Sequence, residues 1–280
     1  MNLTNYHSHT PFCDGRSTIE EFISTAILWG FSSYGVSPHS PLPIKSSCNM
    51  RADRVCEYIG EMNKLKKKYE GQIEIYTGME IDFLGDEWNA STPYFRDMDL
   101  DYRIASVHFI PNQKGEFFDI DGSSSKFKAI IDSHYEGDIR YVVEKYFESM
   151  INMINCGGYD FIGHADKISM NASAYKNGIT SSKWYCDIIN DYFNFIANKH
   201  VIVEINTKAF ETKGFLFPNT QHFNLLKRLN IPIVVNSDAH IHSYIKKGYD
   251  ATFALLRDAG FKYIMQLKSG KWIENPICNL

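Results

Sequence analysis

The histidines of this 280-residue chain are placed for metal chemistry. His7 and His9 stand two apart in a stretch that reads as extended, so both imidazoles face the same way and can reach one ion. Further candidates recur at the ends of short apolar runs. They are His39 in Ser37-Pro38-His39, Glu80 in Gly78-Met79-Glu80, His108 in Ser106-Val107-His108 and His164 in Ile162-Gly163-His164. Asp238 and His240 close the series in Ser237-Asp238-Ala239-His240, and Asp14 lies just beyond the first run. A single such His is ordinarily a hydrogen-bonded core or surface residue. Six imidazoles and three carboxylates gathered in one place without a cation would carry a heavy desolvation cost. Nine ligands exceed the needs of one site, since a catalytic zinc takes about three protein ligands plus water. Three divalent ions fit the count if Glu80 bridges two of them. Imidazole and carboxylate without thiolate suit zinc, manganese or iron. Cys13 stands beside Asp14 with no clear ligand role. His134, His200 and His222 lie away from the run ends and read as ordinary residues. His242, two beyond His240, could orient a ligand.

These ligands converge only if the runs are parallel strands of one sheet. Candidate strands cover residues 5–7, 33–37, 73–78, 102–107, 160–163, 201–205 and 232–236, and helical patterns lie between them. Ser17-Thr18-Ile19-Glu20 reads as a capping box that opens a helix running to about Gly30. Helices are expected over 51–69, 138–155, 181–198, 220–229 and 248–259, and loops over 115–125 and 168–178. Strand–helix–strand spacing of this kind marks a parallel sheet, and seven strands favour a barrel. In a parallel barrel the C-terminal strand ends share one face, which would gather all nine ligands.

Composition narrows the classes. Hydrophobic content of 44% and charged content of 22% are those of a globular chain. The net charge of -4 opposes a nucleic-acid-coating role. The run of Lys64, Lys66, Lys67 and Lys68 reads as a solvated helix end that suits the helix dipole. No apolar run approaches a membrane span, and no leader is evident at the N-terminus. The six cysteines suggest no disulfide framework, so a reducing, cytoplasmic setting is expected. With neither repeat nor linker, residues 1–280 are expected to form one domain.

The ordered motifs resemble those of the polymerase and histidinol phosphatase (PHP) family. His7-Ser8-His9-Thr10-Pro11-Phe12-Cys13-Asp14-Gly15 is similar to its first motif. Gly35-Val36-Ser37-Pro38-His39, Gly78-Met79-Glu80-Ile81-Asp82, Ala105-Ser106-Val107-His108-Phe109 and Gly163-His164-Ala165-Asp166 continue the series. Glu204-Ile205-Asn206-Thr207 and Asn236-Ser237-Asp238-Ala239-His240 complete it. Phe118-Asp119-Ile120-Asp121-Gly122 and the context of Asn206-Thr207-Lys208-Ala209 resemble the stand-alone histidinol-phosphatase branch. The resemblance implies an α/β fold, a distorted, TIM-like (β/α)7 barrel with a trinuclear metal centre at its mouth. It also implies hydrolysis of L-histidinol phosphate in histidine biosynthesis. Some members carry His where this chain has Asp14, and both can ligate.

The implied reaction is in-line attack of a metal-bound hydroxide on phosphorus. Glu80, Asp238 and His240 are its expected catalytic residues, and Asp14, His39 and His240 the expected holders of the ion facing the phosphate. Lys167 and Lys208 are candidates for the phosphate itself. Asp82, Asp119, Asp121, Glu204 and Asn206 are candidates for the amine and imidazole. Asp166 and His242 are candidate donors to the leaving alcohol. The expected partner is a small phosphomonoester, with neither nucleic acid nor membrane; the sequence says nothing of oligomeric state. A related phosphoesterase acting on nucleotides or oligonucleotide ends is the alternative, and a non-catalytic metal-binding module a weaker one.

Overall fold

The computed structural model of the chain describes residues 3–277, and Cys278 lies outside them. Its strands are β1 (Leu3–Asn5), β2 (Phe31–Val36), β3 (Glu74–Asp82), β4 (Tyr102–Ser106), β5 (Phe109–Pro111) and β6 (Phe117–Asp119). Then come β7 (Phe161–Ile162), β8 (Ile202–Asn206), β9 (Ile233–Asn236), β10 (Tyr263–Lys268) and β11 (Lys271–Pro276). Seven of them pair in the order β1-β2-β3-β4-β7-β8-β9, every pair parallel. The ring closes at its mouth, where Ser8 bridges Ala239 and the His9 N–H donates to the Ala239 carbonyl at 2.8 Å. The result is the nearly closed, distorted seven-stranded barrel that the strand spacing favours.

The helices wrap the outside. They are α1 (Ile19–Leu28), α2 (Val55–Lys68), α3 (Pro93–Arg96), α4 (Ser124–His134), α5 (Ile139–Cys156), α6 (Ile168–Tyr175), α7 (Lys183–Lys199), α8 (Phe210–Lys213), α9 (Phe223–Arg228) and α10 (Tyr249–Asp258). The longer ones bury a single stripe, such as Tyr58, Met62 and Leu65 of α2, and leave the opposite face polar. No helix among the described residues is long and apolar enough to cross a membrane.

The barrel floor, at the N-terminal strand ends, is packed with rings. Tyr6, Tyr76, Tyr102, Ile104 and Phe161 pack there with Leu267 of β10 and Trp272 of β11. The β10–β11 hairpin thus plugs the end opposite the ligands. The Tyr102 hydroxyl donates to the Tyr6 carbonyl at 2.6 Å, and the Leu267 N–H donates to the Tyr6 hydroxyl at 2.9 Å. The Tyr102 ring passes so close to two strands that Gly35 and Gly78 are required. A Cβ at Gly35 would stand 2.3 Å from the Tyr102 hydroxyl oxygen, and one at Gly78 2.1 Å from the ring.

Several expectations shift. The capping box sits one residue later, between Thr18 and Glu21, because Thr18 holds the extended N-cap conformation. The first strand is 3–5 rather than 5–7, which puts His7 and His9 just beyond its end, on either side of the Ser8–Ala239 bridge. The expected loop at 115–125 contains β6 and the start of α4, whose cap is the Ser123 side chain. The expected loop at 168–178 contains α6. The two antiparallel hairpins, β5–β6 and β10–β11, have no counterpart in the sequence reading.

Candidate metal centre

The parallel strands bring the nine predicted ligands to one face. His39 follows β2, Glu80 lies in β3, His108 follows β4, His164 follows β7, and Asp238 and His240 follow β9. Glu80 sits at the centre. Its Oε2 lies 3.2 Å from His7 Nε2, 2.9 Å from His39 Nδ1 and 3.5 Å from His9 Nε2. Its Oε1 lies 3.0 Å from His164 Nε2 and accepts from the Ser106 hydroxyl at 2.7 Å. Three overlapping groups of ligand atoms lie close enough to hold an ion: His9, Asp14, His39 and His240; His7, His9 and Glu80; His39, Glu80 and His108. His164 and Asp238 stand beside these groups, His164 Nε2 at 3.1 Å from His108 Nε2 and Asp238 Oδ1 at 3.1 Å from His9 Nε2. The His9–Asp14–His39–His240 group is the more open, with Asp14 and His240 side chains 30% and 20% exposed against 0% for His7 and His9.

A layer of acceptors behind the imidazoles fixes their tautomers. His7 Nδ1 donates to Glu204 at 2.7 Å, and His108 Nδ1 donates to Asp82 at 2.7 Å. Each donation leaves Nε2 aimed at Glu80, where a metal ion would take the place of its proton. Glu204 also accepts from the His164 N–H, Asn206 Nδ2 and Asn236 Nδ2. Asn206 Nδ2 reaches Asp238 Oδ2 at 3.2 Å as well. Asp82, Glu204 and Asn206 are therefore occupied in orienting the cluster rather than open to the mouth. His164 (φ 25°) and Asp238 (φ 48°) both take left-handed backbone conformations that turn their side chains inward. Gly163 is needed beside Ser106, whose hydroxyl would lie 2.4 Å from a Cβ at that position.

The electrostatics are those of a cluster tuned by its own members. Burial would depress the His7 imidazole, but Glu204, Glu80 and Asp238 overrule it and hold it well above its usual value. Burial, His39 and His240 together push His9 well below its usual value. Burial would also raise the Glu80 carboxyl, yet His7, His39 and His108 hold it well below the carboxylate range. His108 loses to burial and gains more from Asp82 and Glu80, reaching about 10. Burial and Asp14 push the Cys13 thiol up to about 12, so Cys13, 3.5 Å from His9 Nδ1, stays a thiol.

The other candidates divide. Lys208 Nζ lies 3.2 Å from Asp238 Oδ1 and lines cavities on both sides of the centre. Lys167 is buried, paired with Asp121 at 3.1 Å and lying over the Phe217 ring. Asp166 is fully buried and accepts the Asn219 N–H. His242 Nδ1 is 3.0 Å from the Ser17 hydroxyl. Neither Asp166 nor His242 lines the two cavities. His134 is stacked on Phe118 away from the cluster, and His222 is buried near Asp166. Arg16 and Lys247, which the sequence reading did not single out, line the cavity beside His240.

Residues 5–208 match the PHP domain. The chain belongs to the PHP domain family. Among relatives, it is 28% identical to a histidinol-phosphatase of Bacillus subtilis (strain 168), over 90% of this chain and 98% of that one. A probable histidinol-phosphatase of Schizosaccharomyces pombe is 24% identical, with 94% and 89% covered. Among solved structures, the histidinol phosphate phosphatase of Lactococcus lactis, complexed with zinc, L-histidinol and phosphate, superimposes with a TM-score of 0.70. That match has 19% identity and covers 97% of this chain and 99% of the other. These likenesses place the PHP barrel among known folds.

Proposed function

We propose that this chain hydrolyses L-histidinol phosphate to L-histidinol and phosphate, a step of histidine biosynthesis, with divalent metal ions held at the barrel mouth. The observation that carries the reading is a set of buried ligand atoms without hydrogen-bond partners: His7 Nε2, His9 Nε2, His39 Nδ1, Asp14 Oδ1 and Glu80 Oε2. Each such atom costs about 1–3 kcal/mol unless something takes it. All five aim into one volume, and neutral imidazole with carboxylate is the donor set of zinc, manganese or iron. Three ions would be held, one by His7, His9 and Glu80, one by Glu80, His108 and His164, and one by Asp14, His39 and His240 with His9 beside them. Asp238 adjoins the first and the last. The names and bound ligands of the relatives support the same substrate.

Bound divalent ions lower the pKa of water and neutralise charge on a phosphoryl oxygen. The chain's own residues do the rest. Glu204 and Asp82 accept the Nδ1 protons of His7 and His108 and turn Nε2 toward the centre, where a metal ion would displace its proton. Ser106 pins one oxygen of Glu80 and leaves the other to the centre. Lys208, a cation between the two cavities, is placed to meet a phosphate oxygen. Asn206 and Glu204 brace Asp238 and His164 in place. We take residues 1–280 as one unit, since the β10–β11 hairpin fills the floor that β1–β9 leave open. The cysteine pattern supports a cytoplasmic setting.

Phosphate release from L-histidinol phosphate, glycerol phosphate and nucleoside monophosphates, by protein prepared without chelator, tests the reading. L-histidinol phosphate is expected to lead by about a hundredfold in kcat/KM, the effect of two charged contacts in a desolvated site. A nucleotide in first place, or no metal-dependent release at all, overturns it.

A further inference from the structure

We propose that Asp119 is the carboxylate that receives the substrate's ammonium group and so sets the preference for an amino-alcohol phosphate. The inference rests on the function proposed above. Two cavities flank the metal cluster and share Asp14, Lys208 and His240. One, of about 380 Å³, carries the cations Arg16, Lys208 and Lys247 against the carboxylates Asp14 and Asp238. The other, of about 230 Å³, carries Asp14, Asp119 and Asp121 against Lys126 and Lys208, beside His39 and His108. The excess of cations in the first and of carboxylates in the second favours an organic cation in the second.

Within the mouth the acidic side chains are almost all engaged. Asp14 lies against His39 and His240, and Asp238 is held by His9 and Lys208. Asp82 accepts from His108 and Asn49. Asp121 is paired with Lys167. Asp119 differs. Its Oδ1 accepts the Asp121 N–H at 2.8 Å, and its other oxygen has no hydrogen bond or ion pair among the described residues. A half-buried carboxylate with one open oxygen can accept a charged hydrogen bond, the strong kind.

Its position relative to the side-chain cluster is fixed by backbone. Asp119 pairs with Phe109 in the β5–β6 ladder, and the next residue, Ile120, donates its N–H to the His108 carbonyl at 2.9 Å. The carboxylate is thereby one ladder step from the ligand His108. A substrate whose phosphoryl group meets the cluster would extend its amino-alcohol arm along this hairpin.

Asp119→Asn tests the assignment, because the amide oxygen can still accept the Asp121 N–H and leave the hairpin intact. The readout is the ratio of kcat/KM for L-histidinol phosphate over glycerol phosphate, which a partly folded preparation does not disturb. The ratio should fall about ten- to a hundredfold. A des-amino analogue of the substrate should lose as much with the unaltered protein and little more with the variant. L-Histidinol alone, titrated calorimetrically, should bind the variant more weakly by a similar factor, with inorganic phosphate nearly unaffected. A ratio that holds in Asp119→Asn while the unaltered protein prefers L-histidinol phosphate overturns the role of Asp119 alone. An unaltered protein with no preference overturns the substrate reading, and the assignment with it.

Discussion

At the floor of the barrel, the polar atoms that Tyr6 and Tyr102 bury have partners, whereas at the mouth five ligand atoms have none. The same seven strands supply both ends. The floor uses rings, two required glycines and a plugging hairpin, and gives the hydroxyls of Tyr6, Tyr76 and Tyr102 internal partners. The mouth uses imidazole and carboxylate, orients them with Glu204, Asp82 and Asn206, and leaves their inner faces open. Complete internal satisfaction is what a stability element needs. Partial satisfaction, with every orientation fixed, is what a site for an external cation needs.

Chelation should break the symmetry of the two ends most strongly. Removing divalent ions is expected to abolish phosphate release by about a thousandfold or more, the scale of losing an entire electrostatic site. It should also lower Tm, because ions held by the folded state alone stabilise it. Re-addition of zinc, manganese or iron should restore both. Activity that survives dialysis against chelator, with no ion left by elemental analysis, would sink the metal reading. Glu80→Gln should cost at least about a hundredfold in kcat/KM, while His134→Gln, away from the cluster, should stay within about twofold. Equal losses at the two positions would refute the central place given to Glu80.

Floor substitutions should do the reverse. Gly78→Ala forces a Cβ to 2.1 Å from the Tyr102 ring and should cost about 1–3 kcal/mol in denaturant midpoint experiments. Tyr102→Phe removes the donor to the Tyr6 carbonyl and should cost about 1 kcal/mol, with kcat/KM nearly unchanged. A large catalytic loss in Tyr102→Phe would mean that the two ends are coupled through β1.

The smallest effect near neutrality belongs to neither end. Burial pushes His222 down to about 4, while the unfolded chain takes up a proton near 6.5. Below pH 6.5 the unfolded state binds the extra proton, so stability is lost as pH falls toward 4. Asp166 Oδ2, 3.8 Å away, is itself pushed up to about 7 by burial and lends little charge in that window. His222→Gln should flatten this part of the Tm–pH curve, and an unchanged slope would dismiss the titration.

The strand order and the ligand positions were legible because a parallel barrel turns chain order into spatial convergence. Each His or acid that follows an apolar run falls at the mouth by that rule alone. The floor was not legible, since Leu267 and Trp272 reach it from a hairpin that follows the last barrel strand and breaks the strand–helix alternation. The β5–β6 hairpin hid for a different reason: its strands are three residues each, and the Gly/Ser-rich stretch after them reads as loop. Helix α4 carried its signal in the Ser123 cap and the Phe127–Ile131 stripe, masked by the serines before it. The separation of acids that orient imidazoles from acids that face the cavity needs three-dimensional partners. Asp82 and Asp119 look alike in sequence and differ only in what they touch.

The left-handed backbones of His164 and Asp238 carry a consequence for anyone engineering this protein. For residues other than glycine that conformation costs about 1–2 kcal/mol apiece. A screen for heat tolerance run on metal-free protein would therefore favour His164→Gly, which relieves a twist and removes a buried Nδ1 that has no partner, but not Asp238→Gly, which would strip His9, Lys208 and Asn206 of a shared acceptor. Such a winner would be sturdier and inert. Selection for robustness and selection for turnover pull in opposite directions at His164, so a thermostabilised version must be evolved with metal present or with that position locked.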